Sequence, residues 1–335
     1  MDKLVLLKTQ LVEAAKFAKS KRFGHKRLSV ILLDNFIEIQ LSDRIRQKFR
    51  WDGAFYFVQK KYSQEKRNKI LNHHDELLKA CVKENEISAS EQKLLIFCHN
   101  IRNNLYHKGK EEVLLTQIAI NILQEIIIKH QPIWKNTRGL TVLSHSENDP
   151  YPTKRTGKTI TFFENEESSW INFLNKYFIC IDRRRRNSSQ LLSDYLLEKL
   201  KSINNALSFI KTDYANMFPE SKSWNYNDFL LHYSFLNLKR IEIEKIKENS
   251  NRKQIKNQLD QLFLTYQKNW SMKKPERLKI LKNSSRQLAK LPIEKSIIKF
   301  TNLNNEIIMI YEAFSYAAGE LDEAIQDAYD RYRGK

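Results

Sequence analysis

Glycine and proline are scarce in this chain, 7 and 6 among 335 residues, where ordinary usage is about 7% and 5%. Sandwiches and barrels need turn residues every few positions, so that shortage argues against a turn-rich β architecture. Cysteine is equally sparse. Cys81, Cys98 and Cys180 lie at unrelated spacings in apolar helical surroundings, so neither a disulfide framework nor a zinc site is suggested. Reduced core thiols in a cytoplasmic protein are the expectation. Long uninterrupted apolar runs are missing too. The amino-terminal MDKLVLLKTQLVEAAKFAKSKR is broken by Lys8 and Glu13 and reads as an amphipathic helix rather than a leader or membrane span. The most apolar stretch, Ile118 to Ile128, reads as a buried core helix, so no membrane partner is expected.

Acidic residues are outnumbered, 39 against 58 basic, giving a net charge of +19. Such an excess favours a polyanionic partner and makes its binding sensitive to salt. The excess is shared between the first 150 residues and the remainder, so no basic tail accounts for it. A lysine-rich solvated surface remains the alternative for any one cluster.

What is abundant is helical. Leu, Ile, Lys, Glu and Gln dominate, and apolar residues recur at three and four rather than two, so the fold class expected is all-α. Helices are predicted near 3–20, 28–49, 64–84, 89–106 and 110–131, with Leu28, Ile31, Leu32, Asn35, Ile39 and Leu41 on or near the inward face of the second. The aromatic patch WDGAFYFVQKKY at 51–62 is expected to pack Trp51, Phe55, Tyr56 and Phe57 on the core rather than to stack on bases. Residues 1–135 then form an up-and-down helical bundle. Between about 132 and 168 the pattern breaks at Pro132, Gly139, Pro150, Pro152 and Gly157, and 136–168 reads as a linker or a small hairpin of GLTVLSH with KTITFF. RTGKT at 155–159 is not a phosphate-cradling loop, because Pro152 stands where its first glycine belongs. Residues 169–335 return to helix, near 188–215, 225–248, 252–270, 275–290 and 294–332. IEIEKIKENSNRKQIKNQLDQLFLTY has the texture of a helical hairpin, and Trp170, Ile171, Phe173, Leu174, Tyr177 and Phe178 set an apolar face. Asp322, Glu323, Asp327 and Asp330 of the last helix fit ion pairing or solvation better than metal binding.

The chemistry concentrates in HNIRNNLYHKG, residues 99–109. An arginine followed by a histidine after four to six residues occurs four times: Arg67 reaches His73 and His74, Arg138 reaches His145, and Arg102 reaches His107. Among these arginines, asparagine directly follows only Arg67 and Arg102. Of those two, only Arg102 stands between long apolar-periodic segments and close to a glycine able to end a helix. Leu94, Leu95, Phe97, Cys98, Ile101 and Leu105 make the buried stripe of that helix. On its other side Asn103 and His107 lie one turn apart, as do Arg102 and Tyr106, while His99 sits one turn before Arg102 and Asn103. Arg102 and His107 are about 140° apart around a regular helix, so one helix alone does not unite them.

An imidazole titrating near neutrality can take a proton from a ribose 2′-hydroxyl or give one to a leaving 5′-oxygen. A guanidinium can hold the scissile phosphate and the charge that grows on it. The run resembles the Arg-x4–6-His motif of HEPN-domain proteins, small all-α modules, many of them metal-independent endoribonucleases of toxin–antitoxin and antiviral systems. The resemblance covers mainly the first 135 residues. It implies a homodimer in which motif residues of two protomers share one cleft, RNA cleavage to 2′,3′-cyclic phosphate and 5′-hydroxyl ends, no cofactor and no metal, and an antitoxin or regulatory protein as a further partner. Arg102, Asn103 and His107 are then the catalytic candidates, with Asn103 orienting His107 or a phosphate oxygen and His99 and Tyr106 as site support. Lys108, Lys110 and the run Arg183, Arg184, Arg185 and Arg186 are RNA-binding candidates, although a solvated helix end explains the four arginines as well. A noncatalytic HEPN-like RNA-binding or protein-binding module is the second reading, and a structural helical adaptor the third. His73-His74-Asp75 carries the His-Asp pair found in HD phosphohydrolases, but no spacing secures the remaining ligands, with His25 upstream.

Overall fold

In a computed structural model the chain is all-α: twelve α-helices and one short π-helical segment make up the regular elements of the described residues. Those residues are 3–52, 61–108, 112–134, 151, 171–178, 187–217, 225–249, 252–270, 272 and 276–334. They divide into two compact units, Met1–Leu191 and Leu192–Lys335.

The first unit holds α1 (Lys3–Lys19), α2 (Phe23–Trp51), α3 (Gln64–Asn72), α4 (His74–Lys83), α5 (Ala89–Lys108) and α6 (Val113–Trp134). At its centre is α2, which packs against α1, α4, α5 and α6. Ser29 Oγ donates to the Ala14 carbonyl at 2.9 Å and Gln10 Nε2 to that of Leu32 at 2.7 Å, pinning α1 to α2. A helix surrounded this way is apolar on several sides, so periodicity alone does not give its phase. The face that goes inward carries Val30, Leu33, Asp34, Phe36, Ile37, Leu41 and Ile45, while Leu28 and Asn35 are exposed and Ile31, Leu32 and Ile39 half-buried. Of the inward face expected from the sequence, only Leu41 is fully enclosed.

α5 follows its predicted stripe closely. Leu94, Leu95, Cys98, Ile101 and Leu105 are buried and Phe97 is half-buried; each fully enclosed Leu or Ile stabilises the fold by about 1.5–3 kcal/mol. A capping box starts the helix. The Glu91 amide donates to Ser88 Oγ at 3.1 Å, and Glu91 Oε2 accepts from the Ser88 amide at 2.7 Å. The other oxygen of Glu91 takes Lys129 Nζ and His130 Nε2 of α6, both at 2.6 Å, locking the α5–α6 pair at this end. Val113–His130 is long and apolar enough to cross a membrane by length and composition, but most of its side chains are buried inside this unit, as expected for 118–128.

The helix expected over 64–84 is two helices, because His73 is extended, with φ −126° and ψ 118°. That one residue ends α3 and makes His74 the first residue of α4. At the other side of α3, Asp52 gathers the chain: its carboxylate accepts from the amides of Lys61 and Tyr62 and from Arg67 Nη2. Arg67 also lies over the Phe49 ring, so the other Arg-Asn among the motif matches is built into a structural clamp. Phe55, Tyr56 and Phe57 lie outside the described residues, and Trp51 is exposed rather than packed on the core.

The hairpin expected within 136–168 lies outside the described residues. Beyond it, 171–178 returns to the first unit rather than opening the second, since Phe173, Leu174 and Phe178 are buried and the π-helical Leu174–Phe178 packs on α1. The apolar face expected there is therefore present through those three residues, whereas Ile171 is exposed and Trp170 lies outside the described residues.

The second unit comprises α7 (Ser188–Met217, whose first turn belongs to the first unit), α8 (Tyr226–Leu238), α9 (Arg240–Asn249), α10 (Arg252–Asn269), α11 (Arg277–Leu288) and α12 (Ile293–Tyr332). An Asn225–Asp228 capping box starts α8. α12 buries Ile297, Phe300, Ile307, Ile310, Phe314, Ala317 and Leu321 along one stripe and packs on α8 and α11. Arg277 forks onto Glu306. α9 and α10 meet as the expected helical hairpin, and Asp322, Glu323, Asp327 and Asp330 are solvent-exposed.

Candidate functional site

Asp34 is the anchor of the polar cluster. It sits on the inward face of α2 with 3% of its surface exposed, and a carboxylate so placed needs partners. α5 supplies them. His99 Nδ1 lies 2.9 Å from Asp34 Oδ2, and Arg102 Nε 3.9 Å from the same oxygen. With the carboxylate ionised, His99 donates from Nδ1.

His74 reaches the cluster from α4, an outcome of the break at His73. Its ring lies on that of His99, with centroids 3.7 Å apart and planes 9° from parallel. Burial pushes its pKa down to about 4; neighbouring His99 and then Arg102 act in the same direction, against Asp34 and Asp75. His74 is therefore neutral at pH 7, and its buried Nδ1 has no hydrogen-bond partner among the described residues. The nearest carboxylate across Nδ1, Asp75 Oδ1, is 3.9 Å away on a side chain 71% exposed.

Arg102 is held from two sides. Its Nη1 donates to Asn103 Oδ1 at 2.9 Å, and its guanidinium carbon stands 5.6 Å from the centre of the Tyr106 ring. The side chain keeps 29% exposure, enough to offer donors to a bound anion. Tyr106 is exposed, and its carbonyl accepts from Arg27 Nη2 of α2 at 3.3 Å, a cation at the carbonyl end of α5.

The structure thus brings together His99, Arg102, Asn103 and Tyr106 of the sequence candidates. Asn103 orients Arg102 in this arrangement, where the sequence suggested an action on His107 or phosphate. His107 and Lys108 continue α5, but their side chains, together with Lys110 and Arg183 to Arg186, lie outside the described residues. Sequence reasoning missed Asp34, and it placed His74 in the wrong company. His73 is an exposed junction residue, and His25 packs on Phe17 and Ser20 instead. The available signal for Asp34 was an acid directly after the apolar run Val30 to Leu33 and two residues before the pair Phe36 and Ile37.

Arg102, Asp34 and His99 form a compact charge system: one buried anion, one imidazole able to move a proton, and one partly exposed guanidinium. It can bind an anion beside a proton-transfer group. No family model, curated protein or solved structure matches the chain.

Proposed function

We propose that this chain is a metal-independent endoribonuclease of the HEPN type, a cytoplasmic bacterial toxin or antiphage effector that kills or arrests its host by cleaving RNA. The observation that carries the reading is the state of Arg102: oriented by Asn103, faced by Asp34, and still 29% exposed. A guanidinium set this way is preorganised for a phosphate.

In the proposed reaction His107 accepts the proton of a ribose 2′-hydroxyl as the 2′-oxygen attacks phosphorus. The bond from phosphorus to the 5′-oxygen breaks, and that oxygen takes up a proton from water. Arg102 stabilises the charge on the non-bridging oxygens. The products are a 2′,3′-cyclic phosphate and a 5′-hydroxyl. Because Arg102 and His107 are about 140° apart around the helix, a homodimer with a shared cleft is part of the proposal: one protomer contributes the arginine and its partner the histidine. The net charge of +19 supports RNA as the polyanion, with Tyr106 able to stack on a base.

A second reading has one observation in its favour. Asp34 stands 3.9 Å from Arg102 Nε, and a guanidinium already facing a carboxylate can serve a noncatalytic HEPN-like module that only binds RNA or protein. His107→Ala separates the two. The nuclease reading expects RNA affinity within about twofold of wild type and a drop in cleavage of at least about 100-fold, the usual contribution of a general acid or base. The binding reading expects no cleavage by either protein.

A further inference from the structure

We propose that Asp34, His74 and His99 form a binding site for a divalent transition-metal ion of the zinc class. Each residue comes from a different helix, α2, α4 and α5, and their candidate ligand atoms all lie within 4.8 Å of one another. The inference does not rest on the nuclease reading.

Three observations carry it. Asp34 Oδ2 and His99 Nδ1 are 2.9 Å apart, close to the roughly 3.3 Å that separates two ligands on one tetrahedral zinc with bonds near 2.0–2.1 Å. An ion there takes the place of the proton that His99 Nδ1 directs at Asp34 Oδ2. His74 is the second observation. Its Nδ1 is buried and has no hydrogen-bond partner among the described residues, and a buried polar atom left without one is costly unless something else uses it. The third is the donor set. Two imidazoles and one carboxylate suit zinc and its transition-metal neighbours, whereas magnesium and calcium prefer all-oxygen shells.

The stacked rings must open for both nitrogens to meet one ion, and rotation about the broad terminal torsion of a histidine allows it. Three protein ligands leave a fourth position for water. Arg102 opposes the ion, with its Nε 3.9 Å from the same carboxylate oxygen, but the side chain is partly exposed and can swing outward. Removing that cation therefore tightens metal binding.

The test is titration of metal-free full-length protein with Co²⁺, read by visible absorption, and with Zn²⁺, read by calorimetry, without RNA present. The expected result is one saturable ion per chain with the intense bands of a four-coordinate cobalt. Asp34→Asn and His74→Gln should each weaken it at least about tenfold, while His73→Ala and His25→Ala leave it intact and Arg102→Ala strengthens it. Circular dichroism checks that each variant is folded. No saturable uptake by wild type overturns the proposal, and so does equal uptake by folded His74→Gln, which would mean binding at exposed histidines only. Because no RNA enters the assay, its failure leaves the nuclease reading standing, and failure of cleavage leaves the metal site standing.

Discussion

His99 Nδ1 donates to Asp34 Oδ2 across 2.9 Å, joining the helix that carries the Arg-x4-His run to the centre of its bundle. Together with the buried stripe of Leu94, Leu95, Cys98, Ile101 and Leu105, the pair sets the face of α5 from which Arg102 projects one turn later.

Replacing Asp34 by Ala removes the acceptor of His99 and the counter-charge of Arg102 together. Leaving such groups without a partner costs about 1–3 kcal/mol. Thermal unfolding of Asp34→Ala should show a loss of this size, with the helical signal unchanged below the transition. A melting temperature equal to wild type would mean that the contact contributes nothing.

Glu91 gives the chain a specific acid sensitivity. Burial alone would raise its carboxyl, but Lys129, the Ser88 amide, His130 and the Ser88 hydroxyl outweigh that and hold it at about 2, below its ordinary 4.5. A carboxyl depressed by folding adds stability that is full above about pH 4.5 and is lost as pH falls toward 2. Chemical denaturation of wild type and Glu91→Gln across that window checks it. The variant should be less stable at pH 7, with the difference shrinking as the pH approaches 2.

Much of this architecture was legible. The α5 stripe was plain because one face meets the core and the other meets solvent, which gives a clean helical period. α2 was legible as a helix but not in phase, since neighbours on several sides erase the contrast that periodicity needs. That loss of phase also hid Asp34, whose importance comes from α5 arriving 65 residues later in the chain. The break at His73 carried no glycine or proline to announce it, so one expected helix became two and His74 gained a partner that no local spacing could reveal. Cys81 and Cys98 are buried thiols, as their apolar setting indicated.

Shared catalysis across a dimer makes a mixing prediction. Arg102→Ala and His107→Ala should each be inactive alone. Mixed after subunit exchange, they form dimers with one intact Arg102–His107 pairing and should recover measurable cleavage. Two variants that stay inactive when mixed, with exchange verified by mass, would assign the residues to a single protomer.

RNA affinity should fall steeply with salt. For single-stranded RNA each neutralised phosphate contributes about 0.7 to the slope of log affinity against log salt. If Arg102 contacts phosphate, Arg102→Ala lowers the slope by about that amount, as filter binding at several salt concentrations would show. An unchanged slope would remove Arg102 from the RNA interface.

The most direct measurement is cleavage of total cellular RNA and purified tRNA in EDTA, with product ends mapped, by wild type, Arg102→Ala and His107→Ala. The account predicts 2′,3′-cyclic phosphate and 5′-hydroxyl ends from wild type and intact RNA from both variants. Intact RNA with wild type, or the same products from His107→Ala, would contradict it.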